Sequence, residues 1–477
     1  MHHDTTRSDP SRTAPPLPRL QASHALILLL LINLFNFIDR QVLAAVEPYV
    51  RADFFPDVLN PITGQMEEPE GAKAAMGWLA FAFLATYMLL APLFGALATR
   101  LSRWWLIAGG VIVWSLASGA SGASEWFGQM LGGRSVTLLA MTLPLAYVIM
   151  LLTRALVGVG EAVYGPIAPD MISDLYPVEK RGQVLAWFYA AIPFGGALGY
   201  ALGELLTRLT GHWSYAFYAV VPPGLLLGVW CLFLPEPPRP KLNGASLQPR
   251  WSDLVELFRV PSYTLNVVGM TFMCFTIGGL AFWAPGYLQY RQVADVFGVI
   301  PPATFFGLLT AFLGLVATLV GGWAGDALRG RYAGSYFLVS GAVMCLGAPL
   351  LVAMIYLPFP LAWVPMAGAI FCLFFNTGPT NTITANVIRP ALRARGFAIA
   401  ILVMHLLGDA LSPTLLGEIT GKDNRYDWAF LVVAAMIFLG GLFWLWGTLY
   451  LEADTRRANR LEEQPAESLL PPQTVKV

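Results

Sequence analysis

An aspartate and an arginine stand side by side, Asp39-Arg40, inside an otherwise apolar run, ALILLLLINLFNFIDRQVLAAVEPYV (25–50). A charge near a bilayer centre costs roughly 2.5–3.5 kcal/mol on insertion scales, so such a pair calls for a reason. A second stretch, RALVGVGEAVYGPIAPDMISDLYP, puts Arg154 and Glu161 seven residues apart, on one helical face and two turns from each other. Asp39 lies 14 residues after Ala25, about 21 Å along a helix, and Glu161 lies 15 residues before Tyr176, about 22 Å. The two carboxylates are therefore expected at one depth, with Arg40 between them and Arg154 about 10 Å further out.

One arginine cannot neutralise two acids, and a surplus carboxylate inside a membrane marks a proton relay. On this reading Arg154 points into the same cavity, where its planar fork suits an anionic headgroup. A plain Arg40–Glu161 lock holding the helices together is the structural alternative. His405 and Asp409 stand one turn apart in MHLLGDALSP, and either helix packing or coupling would explain them. Asp170 and Asp174, near the end of the second stretch, read as solvated or bonded to a loop. Gly195, Gly199 and Gly203 follow the small-xxx-small spacing of close helix contact.

The elements that must position these residues are membrane helices. Of 477 residues 56% are hydrophobic and 12% charged, against about 25% charged in soluble domains, and the mean hydropathy is +0.61. Apolar windows of the length that crosses about 30 Å of hydrocarbon recur near 25–49, 74–98, 104–123, 145–176, 183–205, 214–234, 262–289, 302–325, 334–357, 362–388, 396–418 and 428–450. The spacing predicts an all-α polytopic membrane protein of 12 transmembrane helices in two pseudo-symmetric six-helix halves. The divisions are a tail (1–24), an N-terminal bundle (25–234) with an extracytoplasmic insertion (124–144), a linker (235–261), a C-terminal bundle (262–450) and a second tail (451–477).

The halves repeat each other. Gly165-Pro166 maps onto Gly378-Pro379 and Pro177 onto Pro390; GALATRLSR (95–103) maps onto GGWAGDALRGR (321–331). Like halves in a membrane chain mark a transporter whose substrate sits between them. Twenty of the 29 Lys and Arg fall in one alternate set of loops and tails and seven in the other. The positive-inside rule then places both termini in the cytoplasm.

The four cysteines, Cys231, Cys274, Cys345 and Cys372, lack zinc spacing. No H-E-x-x-H, G-x-S-x-G or nucleotide-binding G-x-x-x-x-G-K-[ST] motif occurs. No catalytic residue, metal, cofactor or nucleic-acid partner is expected, and the chain is expected to act as a monomer rather than as an enzyme.

GALATRLSR and GGWAGDALRGR resemble the cytoplasmic G-x-x-x-D-R-x-x-R motif of the major facilitator superfamily. More narrowly, NLFNFIDRQVLAAVEPYVRADF, RALVGVGEAVYGPIAPDMISDLYP and HLLGDALSPTLLGEI resemble the Spinster family. The resemblance implies the major facilitator fold and a proton-coupled exporter of lysophospholipid- or sphingosine-phosphate-like lipids. Drug-like amphiphiles or a small organic anion are the alternative cargo. It also implies a bacterial member in the inner (plasma) membrane. Asp39 and Glu161 would be its protonation sites, with Arg40 and Arg154 in the polar cluster; His405 and Asp409, on their spacing, are the further candidates for this charge network. Gly95, Thr99, Arg100, Arg103, Asp326, Arg329 and Arg331 would form its cytoplasmic gate. Where the motif has aspartate the first half has Thr99, so the inner gate is expected to close mainly through Asp326 and the 178–182 loop.

The charge bias yields a direct test of orientation. A cysteine at Gly133 should react with an impermeant thiol reagent in intact cells, and one at Gly244 should react only after permeabilisation. Labelling at Gly244 without permeabilisation would invert the topology.

Overall fold

The computed structural model describes residues 19–59, 65–133, 135–138, 141–176, 178–237, 251–388, 390–421 and 425–463. The extreme tails and the 238–250 part of the linker lie outside them. The N-terminal half comprises α1 (Arg19–Phe54), α2 (Ala72–Ala98), α3 (Arg103–Gly122), α4 (Ser124–Met130), α5 (Leu145–Leu175), α6 (Val178–Thr210) and α7 (Ser214–Cys231). A short helix, α8 (Trp251–Phe258), leads into α9 (Pro261–Tyr290), α10 (Pro302–Arg329), α11 (Ser335–Tyr356), α12 (Trp363–Phe374) and α13 (Thr377–Val387). Then come α14 (Pro390–Met404), a π-helical turn (His405–Asp409), α15 (Ser412–Gly421), α16 (Tyr426–Gly447) and α17 (Leu451–Glu463).

Among the described residues, ten spans are long and apolar enough to cross a membrane. The 33-residue α6 and the α12–α13 pair occupy the other two expected windows, the fifth and the tenth. The all-helical expectation needs one amendment. The 124–144 insertion folds as α4 plus an antiparallel hairpin, β3 (Ser135–Leu138) with β4 (Met141–Pro144). A two-residue pairing, Val58–Leu59 with Met66–Glu67, ties the α1–α2 connection. Both hairpins lie in connections, where the chain has left the helical spans.

Lipid tails give apolar side chains no reason to prefer one another, so helices here approach through small residues. A Cβ on Gly160 of α5 would lie 2.6 Å from the Gly110 carbonyl of α3. On α6, Gly195, Gly199 and Gly203 face α1: a Cβ would lie 2.7 Å from Leu34 O, 2.5 Å from Ile38 O and 2.6 Å from Ala45 Cβ. That contact seats the segment bearing Asp39 and Arg40.

The sequence repeat reappears as matched helix crossings. A Cβ on Gly95 of α2 would lie 3.7 Å from Pro166 Cβ of α5, and one on Gly378 of α13 would lie 3.2 Å from Gly322 Cα of α10. Between the halves, α2 crosses α15, α6 crosses α10 and α1 touches α9. Among the described residues, the hydrogen bonds, ion pairs and glycine contacts that join the halves lie toward the face where α1 ends and α2 begins. The other face carries the α2–α3 and α10–α11 turns. Among the described residues the halves therefore meet at one face, and no polar contact of the motif loops at the other face joins the two bundles.

Replacing Gly199 by valine would wedge α1 from α6 beside the charge pair. Overpacking of this kind costs roughly 1–3 kcal/mol, so Gly199→Val should lower the unfolding midpoint in detergent by several degrees. An unchanged midpoint would show that the α1–α6 contact is looser than described.

Candidate functional site

Two ion pairs, rather than two acids around one arginine, occupy the middle of the N-terminal half. Arg40 meets Glu161 at 2.7 Å through both Nε and Nη2. Asp39 turns to the other side of α1, accepts a hydrogen bond from Ser118 Oγ of α3, and lies 3.8 Å from Arg154 Nη1 of α5. Asp39 and Arg154 are each 1% exposed and Glu161 is 0% exposed, whereas the Arg40 side chain is 22% exposed. This corrects the expected placement of Arg154. Helix rise positions Cα atoms, and the long arginine stem closes most of the offset, so the guanidinium ends on Asp39 instead of in open cavity.

Phe83 of α2 serves both cations, with its ring centroid 5.2 Å from the Arg40 guanidinium carbon and 5.5 Å from that of Arg154. Phe37 and Tyr87 complete the aromatic walls around Arg40, at 4.8 and 5.2 Å. Such contacts stabilise a cation by about 0.5–2 kcal/mol each, more where water is absent. Two acids balance two guanidiniums. Each acid nevertheless keeps one oxygen, Asp39 Oδ2 and Glu161 Oε1, without a hydrogen-bond donor among the described residues. Asn36 lies beside Glu161.

The C-terminal half faces this cluster with His405 and Asp409. Their side chains are 35% and 23% exposed, and Nδ1 lies 2.9 Å from Oδ2. They occupy a π-helical turn, a local widening that recurs at functional positions. Glycine makes room for it: a Cβ on Gly278 of α9 would lie 2.4 Å from Asp409 Cβ, and one on Gly408 would lie 2.8 Å from Cys274 Cβ. Asp409 attracts Arg40 across the inter-half space. Arg40, His405 and Asp409 thus keep partly exposed side chains, unlike Asp39, Arg154 and Glu161.

At the motif face, Thr99 donates to Ala96 O within its own turn at 2.7 Å. Arg103, 3% exposed, gathers Asp174 at 2.5 Å, Glu236 at 3.0 Å and Asp170 at 3.1 Å. Asp170 is solvated, its side chain 67% exposed, and both it and Asp174 are bonded to Arg103 at the end of the 99–103 loop, as expected. With Glu236 they surround one buried guanidinium and hold the loop that lacks the motif aspartate. In the second half Asp326 accepts a hydrogen bond from Tyr336 of α11 at 2.7 Å. Arg100, Arg329 and Arg331 are exposed, and Gly95 makes the crossing described above. The side chains of 178–183 lie outside the described residues. Ser118, Phe83, Tyr87 and Glu236 were missed by sequence reasoning. Serine and aromatics are frequent throughout the spans, so nothing local distinguished these from their neighbours.

Two like bundles of membrane-crossing helices around a buried charge cluster, closed at one face, define a membrane transporter of the major facilitator fold. The chain matches the Major Facilitator Superfamily over residues 29–413. It belongs to the Spinster family of that superfamily. It is 33% identical to the protein spinster homolog 1 of Bos taurus, over 90% of this chain and 80% of the relative. It is 30% identical to the sphingosine-1-phosphate transporter of Mus musculus, over 93% and 80%. A crystal structure of a bacterial homologue of the human lysosomal transporter Spinster, inward-facing and unoccupied, superposes with a TM-score of 0.66 at 19% identity, covering 94% of this chain and all of that one. A D-xylose–proton symporter shares the fold, with a TM-score of 0.67 at 18% identity over 88% and 96%. The chain is an integral multi-pass membrane transporter, not an enzyme.

Removing one member of a buried pair leaves the other charge uncompensated, at roughly 3–5 kcal/mol. Arg154→Met should therefore depress thermal stability sharply. Adding Asp39→Asn should restore much of the loss, because both charges are then gone. If the double variant is no more stable than Arg154→Met alone, the two residues are not partners.

Proposed function

We propose that this Spinster-family transporter moves an amphipathic lysolipid- or sphingolipid-like substrate by alternating access, exchanging it for protons held at Asp39 and Glu161. The observation that supports the reading best is the exposure of Arg40: it is paired to fully buried Glu161, yet it is the one member of the four-charge cluster that is not buried. A proton on Glu161 cancels its charge and frees the Arg40 fork. A phosphate-bearing headgroup can then take the fork bidentately, the geometry guanidinium suits best. Headgroup and Glu161 carboxylate thus compete for one cation, which links proton binding and substrate binding reciprocally. The Asp39–Arg154 pair, sealed by Ser118 and Phe83, sets the field around this exchange and offers a second carboxylate for the proton.

Aromatic and aliphatic walls suit the lipid tail, and the name of the mouse relative as a sphingosine-1-phosphate transporter supports a lipid phosphate. The loop charges favour cytoplasmic termini in a bacterial inner membrane, so the closed face is the outer one. One proton moving inward gains about 2.3 kcal/mol per 100 mV and about 1.4 kcal/mol per unit of pH. That is enough to bias the exchange of one charged headgroup.

Proteoliposomes carrying an imposed pH gradient test this directly, with a lysolipid, a lipophilic cation and a small organic acid as separate cargoes. The lysolipid should move and the rate should follow the gradient. In Glu161→Gln the rate should lose its pH dependence while the protein stays folded. An Asp39→Asn, Glu161→Gln double variant that still concentrates substrate under a pH gradient would show the acids to be structural.

A further inference from the structure

The outer face is joined by charged side chains that the cargo and proton sites do not use. Helix α10 begins with Pro301 at its N-cap and Pro302 as its first residue, and no side chain of its own caps it. The first N–H groups of a helix have no intrahelical acceptor, and proline cannot supply a capping oxygen from its side chain. The acceptor comes from the opposite half: Glu204 Oε2 of α6 takes the Thr304 N–H at 3.3 Å, and Glu204 is 7% exposed. Its other oxygen meets Arg208 at 3.0 Å. Arg208 in turn forks onto Asp295, in the loop before α10, through two bonds of 2.9 Å. That fork holds the Asp295 carboxyl below the usual carboxylate range.

The second crossing carries the complementary arrangement. Lys73 is the second residue of α2, where a cation opposes the helix dipole of its own helix. It is nevertheless 2% exposed. Its ammonium reaches the Thr420 carbonyl at 3.2 Å, one of the last carbonyls of α15, which lack intrahelical donors. Glu68 lies 3.3 Å from it, and the Tyr426 ring of α16 lies 4.9 Å away. The backbones touch here: a Cβ on Gly77 would lie 2.4 Å from Thr414 Cα, and one on Gly417 would lie 2.6 Å from the Lys73 carbonyl. At both crossings the N-terminal half supplies the charge that suits a helix end of the C-terminal half, an acid at an N-terminus and a base at a C-terminus.

We infer that Glu204 and Lys73 are positioning residues of the transport cycle, which hold the outer side shut by capping the α10 N-terminus and the α15 C-terminus across the interface. Opening that side parts α6 from α10 and α2 from α15, so both caps are lost together and regained on closure. Neither residue touches the Asp39–Arg40–Arg154–Glu161 cluster, so the device acts on the equilibrium between outer-closed and outer-open states whatever the cargo.

Spin labels on cysteines at Leu209 and Val299, exposed positions of opposite halves on this face, report the gap by pulsed distance measurement in the full chain. The protein carries Cys345→Ser, since the other three cysteines are buried. Lys73→Met and Glu204→Leu should each raise the long-distance population, by roughly three- to thirty-fold relative to the short one. The two effects should multiply, and Lys73→Arg should restore the short distance. Unchanged populations in both single variants, with only a lower melting temperature, would make these residues merely structural and overturn the inference. Where Lys73→Met fails to fold, Glu204→Gln, which keeps the shape and loses the charge, decides the same point.

Discussion

The structure depends on keeping four charges in a membrane interior without leaving any of them unmatched. Isolated, each would be far too costly to bury; paired, they become tolerable only if the geometry is tight. The consequence is that α1, α3 and α5 are placed by electrostatics as well as by packing. Asp39 is held from α3 by Ser118 and from α5 by Arg154, while Arg40 is held from α5 by Glu161. Consecutive residues on one helix point to different partners, so α1 cannot rotate about its axis without breaking both pairs.

That constraint explains the glycines around it. To fix α1 in place from the side away from its charge partners on α3 and α5, α6 presents three glycines along one stripe and the backbones nearly touch. The cost of glycine in a helix, up to about 1 kcal/mol in water, is offset here by the contacts it permits. The same device lets the π-helical turn bearing His405 and Asp409 press against α9. Packing and charge thus serve one purpose: a rigid N-terminal cluster faces a C-terminal wall whose polar groups remain exposed to the shared space.

The two faces of the molecule divide the work of switching. At the motif face none of the ionic contacts among the described residues joins the two bundles. Arg103 is surrounded by two acids of its own half and by Glu236 of the linker, and Asp326 is bonded to its neighbour Tyr336. At the opposite face charges cross between halves and end on helix termini. A transporter needs at least one set of contacts that breaks as the other forms, and bistable packed interfaces transmit such changes better than gradual deformation does.

The amino-acid sequence by itself determined the class, the spans, the repeat and the identity of the charged residues. Long apolar windows leave a chain little choice but to cross lipid as helices, and charges within those windows are too rare and too costly to overlook. Helix rise even put Asp39 and Glu161 at one depth. Which charge met which was decided only by tertiary structure. Arg154 reached Asp39 because side-chain stems, not Cα heights, set the position of a guanidinium, and Asp170 and Asp174 found Arg103 because a loop 67 to 71 residues away in sequence folded beside them. Nothing in the sequence marked Glu204 or Lys73, since a cap supplied by another helix leaves no local pattern. Their role exists only where the two halves meet.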